Sequence, residues 1–76
     1  MKTAELFDVM KCRIVDGKFC GVTFGYDGII TVYSEHGQMS LKYVEGMKIV
    51  KANGDNIYPY EVAMFLDGVT NVYIGD

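Results

Sequence analysis

The chain has no tryptophan, one proline, one histidine and two cysteines among its 76 residues, and no basic residue follows Lys51. With His36 as the only soft ligand besides Cys12 and Cys20, and no C-x-x-C spacing, a zinc site lacks ligands. The two cysteines flank Asp16-Gly17, which reads as a hairpin turn. A two-residue loop sets Arg13 opposite Cys20, and a three-residue loop sets Ile14 opposite Cys20 and Cys12 opposite Val22. Neither register opposes the sulfurs, so two buried, reduced thiols are expected. No apolar stretch approaches the ~18 residues of a membrane span. Glu5 and Asp8 interrupt the first apolar run, which argues against a signal peptide and for a cytoplasmic protein.

Catalytic, metal and nucleotide motifs are also missing, so no enzyme, cofactor or metal is expected. Glu35 and His36, beside Tyr33 and Ser34, are the one place where an acid and a histidine adjoin. Neighbours on a hairpin tip are expected to point apart, whereas a nucleophile, its base and an orienting group must converge. Asn53-Gly54-Asp55-Asn56 is rich in oxygen but lacks the calcium-loop order and its closing glutamate. No glycine-rich loop leads into a helix N-terminus, as a phosphate cradle requires.

What is present is glycine punctuation. Gly17, Gly28, Gly37, Gly46 and Gly54 recur every eight to eleven residues, most beside Asp, Glu, His or Asn. Such spacing predicts an antiparallel meander of four or five short strands. Thr3 reads as the N-cap of a short helix running through Met10, with Lys11 near its end. Lys18–Phe24 and Ile29–Ser34 alternate around a loop of Tyr26, Asp27 and a left-handed Gly28. That loop pairs Phe24 with Ile30, Val22 with Val32, Thr23 with Thr31 and Gly21 with Tyr33. An even loop, His36-Gly37 or Ser34 to Gly37, keeps Met39, Leu41 and Tyr43 on the face of Ile30 and Val32. A Val44-Glu45-Gly46 loop then brings Met47 and Ile49 to that face and leaves Lys48 and Val50 outside. Pro59 opens a second helix through Leu66, ended by Asp67-Gly68, and Val69–Ile74 reads as a final strand.

The expected fold is α+β in one domain, residues 1–76: an N-terminal helix, the meander, a short C-terminal helix and a last strand. From Gly21 to Val50 the glycine-closed turns resemble those of a small, strongly bent β-barrel of the Sm or Src-homology type, and an open twisted sheet is equally compatible. The expected core is Leu6, Val9, Met10, Val22, Phe24, Ile30, Val32, Leu41, Ile49, Val62, Phe65 and Val72. A domain of this length buries only about 60% of the surface its unfolded chain exposes, so its stability margin is thin.

The net charge of −3 is unevenly spread. Residues 1–51 hold all seven basic residues against six acids, while residues 52–76 hold Asp55, Glu61, Asp67 and Asp76 alone. With Tyr58, Tyr60 and Tyr73 interleaved, the last third offers an acidic, tyrosine-bearing surface to a larger, basic protein. Candidate contact residues are Tyr58, Tyr60, Glu61, Asp55 and Asp67, with Tyr33 and Phe19 on the outer sheet face. This build is similar to that of small acidic inhibitors carried by phages and mobile elements, anti-CRISPR proteins among them. One alternative is a self-associating barrel subunit that uses Val69, Val72, Tyr73 and Ile74. Another is weak single-strand nucleic-acid binding on Phe19, Thr31, Tyr33, Gln38, Ser40 and Lys42. A pI near 4.9 disfavours the latter, Lys42, Lys48 and Lys51 being the only local basic cluster.

Overall fold

The computed structural model describes residues 1–46 and 48–69. Helix α1 (Thr3–Val15) is followed by strands β1 (Cys20–Phe24), β2 (Ile29–Ser34), β3 (Gly37–Val44) and β4 (Lys48–Lys51), then helix α2 (Pro59–Leu66). The strands form one antiparallel sheet in the order β1-β2-β3-β4. The sheet is open, which decides against the barrel: β1 and β4 lie at opposite edges. The fold is α+β, with both helices contributing to the core on one sheet face. The final strand expected over Val69–Ile74, and with it Val72 and Tyr73, lies outside the described residues apart from Val69, whose N–H donates to the Met64 carbonyl at the end of α2 (2.9 Å).

Parity assigned the register of the first hairpin as the structure has it: Phe24 pairs with Ile30, Val22 with Val32, and Gly21 with Tyr33. Gly28 adopts φ 84° in the turn, and its carbonyl accepts the Tyr43 N–H (2.8 Å). At the second turn Tyr33 pairs with Gln38 and Val32 with Met39, the register of a Ser34-to-Gly37 loop. The third turn falls later than expected. Tyr43 pairs with Ile49 and Val44 with Lys48, a slip of two residues in pairing that keeps Ile49 on the core face and Lys48 and Val50 on the outer one, while Met47 lies outside the described residues.

Leu6, Met10, Ile30, Val32, Leu41, Ile49, Val62 and Phe65 are buried as expected, joined by Met1, Met39, Ile57 and Leu66. Val9 and Val22 pack only partly buried against this cluster. Phe24 departs from the expectation at 50% exposure. It sits at the end of the edge strand, its ring against that of Phe7 (centroids 6.0 Å apart). Val50 does lie on the outer face, opposite Lys42, yet is buried, because the chain returns to pair Asn56 with it.

Helix α1 runs four residues beyond Lys11, so there is no Cys12–Cys20 hairpin. Asp16-Gly17 caps a helix instead: with Gly17 at φ 80°, its N–H donates to the Ile14 carbonyl (3.0 Å) and the Lys18 N–H to that of Arg13 (2.9 Å). Asp67-Gly68 ends α2 in the same way, through Gly68 to Phe65 (3.0 Å) and Val69 to Met64 (2.9 Å). Gly68 is also confined by packing. A Cβ on it would stand 2.8 Å from the His36 ring. At the other end of α1 the N-cap is Lys2 rather than Thr3, its N–H held by the Glu5 carboxylate (2.8 Å).

The longer helix changes the cysteines. Cys12 is exposed rather than buried, while Cys20 is half-buried beneath α1, its thiol 3.8 Å from the Met10 carbonyl. Burial pushes the Cys20 thiol above its ordinary pKa, with a smaller opposing pull from Arg13. Maleimide at neutral pH should therefore modify Cys12 first, and Cys20 at a comparable rate only in denaturant. Peptide mapping of the singly labelled protein checks this, and equal rates under native conditions would contradict the burial of Cys20.

Candidate functional site

The N-terminal turn of α2 presents the most organised aromatic surface. Asn53 folds the preceding loop by accepting the Asp55 N–H (2.9 Å), and the Lys51 N–H donates to the Asp55 carbonyl (2.8 Å). Asn56 bridges to Val50 and Ile57 is 2% exposed, so the loop is pinned before the helix starts. Tyr58 is the N-cap, extended at φ −116°, ψ 150°, as the residue before a proline prefers, and Pro59 opens the helix. The Tyr58 and Tyr60 rings stack with centroids 6.0 Å apart and planes 13° from parallel, at 49% and 59% exposure. Beside them lies a shallow depression of about 280 Å³ lined by Glu5, Lys48, Asn56 and Tyr58 among others.

Glu61 holds this turn from beneath. It is buried, not a surface acid. One carboxylate oxygen accepts the Tyr58 N–H (3.1 Å), and the other lies 3.0 Å from the Lys51 ammonium. The expected contact residue thus supports the tyrosines and does not stand among them. Lys51 was the residue the sequence reading missed. Strand parity puts it on the core face with Ile49, where a lysine needs an anion, and in the structure it pairs with Leu41.

Asp67 lies at the opposite end of α2, about 12 Å of helix away. Its oxygens accept from Arg13 (2.8 and 3.3 Å) and Lys18 (2.9 Å). These cations hold its carboxyl down to about 2, against an ordinary 3.8. The stabilisation is therefore present above the ordinary carboxylate value and is lost as pH falls through that value toward 2. The cluster is solvent-accessible, so its worth is under about 1 kcal/mol. Asp67→Asn should lower the urea midpoint slightly at pH 7 and by clearly less at pH 2, where the carboxyl is about half protonated; a difference undiminished at the lower pH would deny the ion pair its role.

Of the acids in the last third, Asp67 and Glu61 are paired with cations from residues 1–51, and Asp76 lies outside the described residues. Asp55, exposed next to the tyrosine turn, is the expected acid that remains there. Tyr33 sits elsewhere, on the outer sheet face between Gly21 and Gln38, and Phe19, 66% exposed, precedes β1. The expected contact residues therefore fall into separate places. The basic cluster also divides, because Lys42 and Lys48 lie on outer-face positions while Lys51 is turned inward to Glu61.

At the β2–β3 turn the structure corrects the idea that Glu35 and His36 point apart, since the imidazole Nε2 lies 3.4 Å from the Glu35 carboxylate. Ser34 does not complete a triad there. Its hydroxyl accepts the His36 backbone N–H (3.0 Å) and is buried in the turn. Among the described residues no three His, Cys, Asp or Glu side chains gather as a metal site would, and no helix is long and apolar enough to cross a membrane. Comparison with protein-family models, curated proteins and solved structures gives no match.

Proposed function

We propose that this is a small non-catalytic binding protein that acts by occupying a site on a larger protein. The observation that carries the reading is the Tyr58–Tyr60 stack, half-exposed on a turn fixed by Pro59 and Glu61. Tyrosine offers broad contact area, a hydrogen-bonding tip and few rotamers to freeze, and a pre-stacked pair has already met part of that entropic cost. Asp55 beside the pair favours a partner with a basic or polar rim. The inhibitor type found among phage-carried anti-defence proteins, anti-CRISPR proteins included, is the form of this activity that the size and charge of the chain suit.

The test is capture from the source cell's lysate with tagged parent and a Tyr58→Ala/Tyr60→Ala variant, each with and without nuclease. Both side chains stand outside the core, so the variant should keep its circular dichroism spectrum. A protein retained by the parent through nuclease treatment, and at least about tenfold depleted with the variant, supports the reading. Retention that is unchanged by the double substitution moves the contact away from this turn, and retention that disappears with nuclease favours the outer-face nucleic-acid alternative.

A further inference from the structure

We infer that β1 is a self-pairing edge, through which two copies of this chain join their sheets about a two-fold axis at Val22. The two sheet edges differ. The outer side of β4 is covered: Met1 and Ile49 exchange backbone hydrogen bonds (2.9 and 2.7 Å), Lys2 bridges to Lys48 and Asn56 to Val50. On β1 the Gly25 N–H donates to Ile29 (2.8 Å), which makes Gly21, Thr23 and Gly25 the residues whose backbone groups point to β2. The N–H and C=O groups of Cys20, Val22 and Phe24 therefore point outward, and no partner for them occurs among the described residues. Edge strands are ordinarily protected by charge, proline or a bulge, and Cys-Gly-Val-Thr-Phe has no charge and no proline.

The helix above this edge is also incomplete. Between α1 and β1 runs a groove of about 430 Å³, bordered by Phe7, Met10, Ile14, Val15, Cys20 and Val22. Phe7, Ile14 and Val15 are 46%, 57% and 76% exposed. A second copy fits both features at once. Antiparallel pairing of Val22 with Val22, and of Cys20 with Phe24, uses every outward backbone group of the strand, since all three are even-numbered. The axis is perpendicular to the sheet, so the two α1 helices come side by side and antiparallel on the same face. The Phe7 ring meets Phe24 and the Cys20 thiol lies against the Met10 carbonyl, so pairing Cys20 with Phe24 of the second copy brings Phe7 level with the Met10 turn of that copy's helix. Asp8 and Lys11, which also border the groove and have no ion pair among the described residues, are then within a helical turn of each other's counterparts. The surface is self-complementary in hydrogen bonding, in apolar contact and in charge, as an isologous interface must be.

Sedimentation equilibrium from micromolar to sub-millimolar concentration, run on the parent and on Ile14→Glu/Val15→Glu, tests the inference. The parent should approach twice its 8.5 kDa mass, and the variant, altered only at exposed positions, should keep its spectrum while its dimer dissociation constant rises at least about tenfold. In a Cys12→Ser/Cys20→Ser background, Val22→Cys should oxidise to a disulfide-linked dimer, because directly opposed strand residues lie within disulfide reach. A parent that stays monomeric, a dimer that ignores the two glutamates or a dimer that Val22→Cys does not link would overturn it. So would slow hydrogen exchange of the Val22 and Phe24 amides in a monomeric sample.

Discussion

Val32→Asp is expected to give a chain with no cooperative thermal transition, and Ser40→Asp one that melts like the parent. Val32 is fully buried at the centre of the sheet, between Val22 and Met39, and belongs to the cluster that joins both helices to it. A carboxylate there lies among the apolar side chains of that cluster and loses its hydration, at a cost of several kcal/mol beyond the lost packing. A domain of this size has only about 4–11 kcal/mol of stability to lose. Val32→Ala removes packing without adding a charge and should cost about 2–3 kcal/mol, leaving a folded protein with a lowered melting temperature. Ser40 is on the adjacent strand, one register position away from Met39, but on the exposed face. The contrast between Val32 and Ser40 tests the assignment of faces directly. Circular dichroism melts decide it, and a folded Val32→Asp would mean that the helices do not cover this part of the sheet.

That assignment was legible in the sequence because a strand's side chains alternate with a period of two. Turn residues fix parity, and parity survived even where the third turn fell one residue later and the pairing slipped by two. The helix ends were less legible for a physical reason. Asp16-Gly17 and Asp67-Gly68 are the same dipeptide in the same helix-ending geometry, yet the first reads equally well as a hairpin turn. Ile14 and Val15 before it favour strands in isolation, and they are helical as the continuation of a helix that Leu6 and Met10 bury against the sheet. The misreading hid the exposed Ile14 and Val15, and with them the groove beside β1. Phe24 was misplaced for a related reason: alternation says which face a residue takes, but not whether its strand lies at an edge.

The candidate site was legible in its aromatics and not in its charges. Tyr58 and Tyr60 stand out in the sequence as tyrosines interleaved with the acids of the last third, and Pro59 between them marks where α2 begins. The acidic last third was a property of chain order alone. Arg13 reaches Asp67 across 54 residues, and Lys51 reaches Glu61 across the loop between β4 and α2. A charge count along the chain has no access to such pairings.

The Lys51–Glu61 pair carries the second large effect, because it joins the stability of the fold to the tyrosine turn. Lys51→Met should cost about 2–4 kcal/mol. The side chain of Glu61 is only 6% exposed, and without the ammonium its charge remains buried with a single backbone N–H as partner; Lys51, at 20% exposure, keeps the figure below that of a fully enclosed pair. Adding Glu61→Gln should restore most of the loss. Glutamine at this helix position still accepts the Tyr58 N–H, and no buried charge is left. A double-mutant cycle in urea should thus give a coupling of at least about 1.5 kcal/mol, whereas a coupling under about 0.5 kcal/mol would show that water reaches the carboxylate. The same variants separate folding from recognition. If Glu61 serves the tyrosine pair only by holding its turn, the double variant should retain the partner captured by the parent. Loss of capture in a variant that melts like the parent would instead give the carboxylate a direct part in the contact.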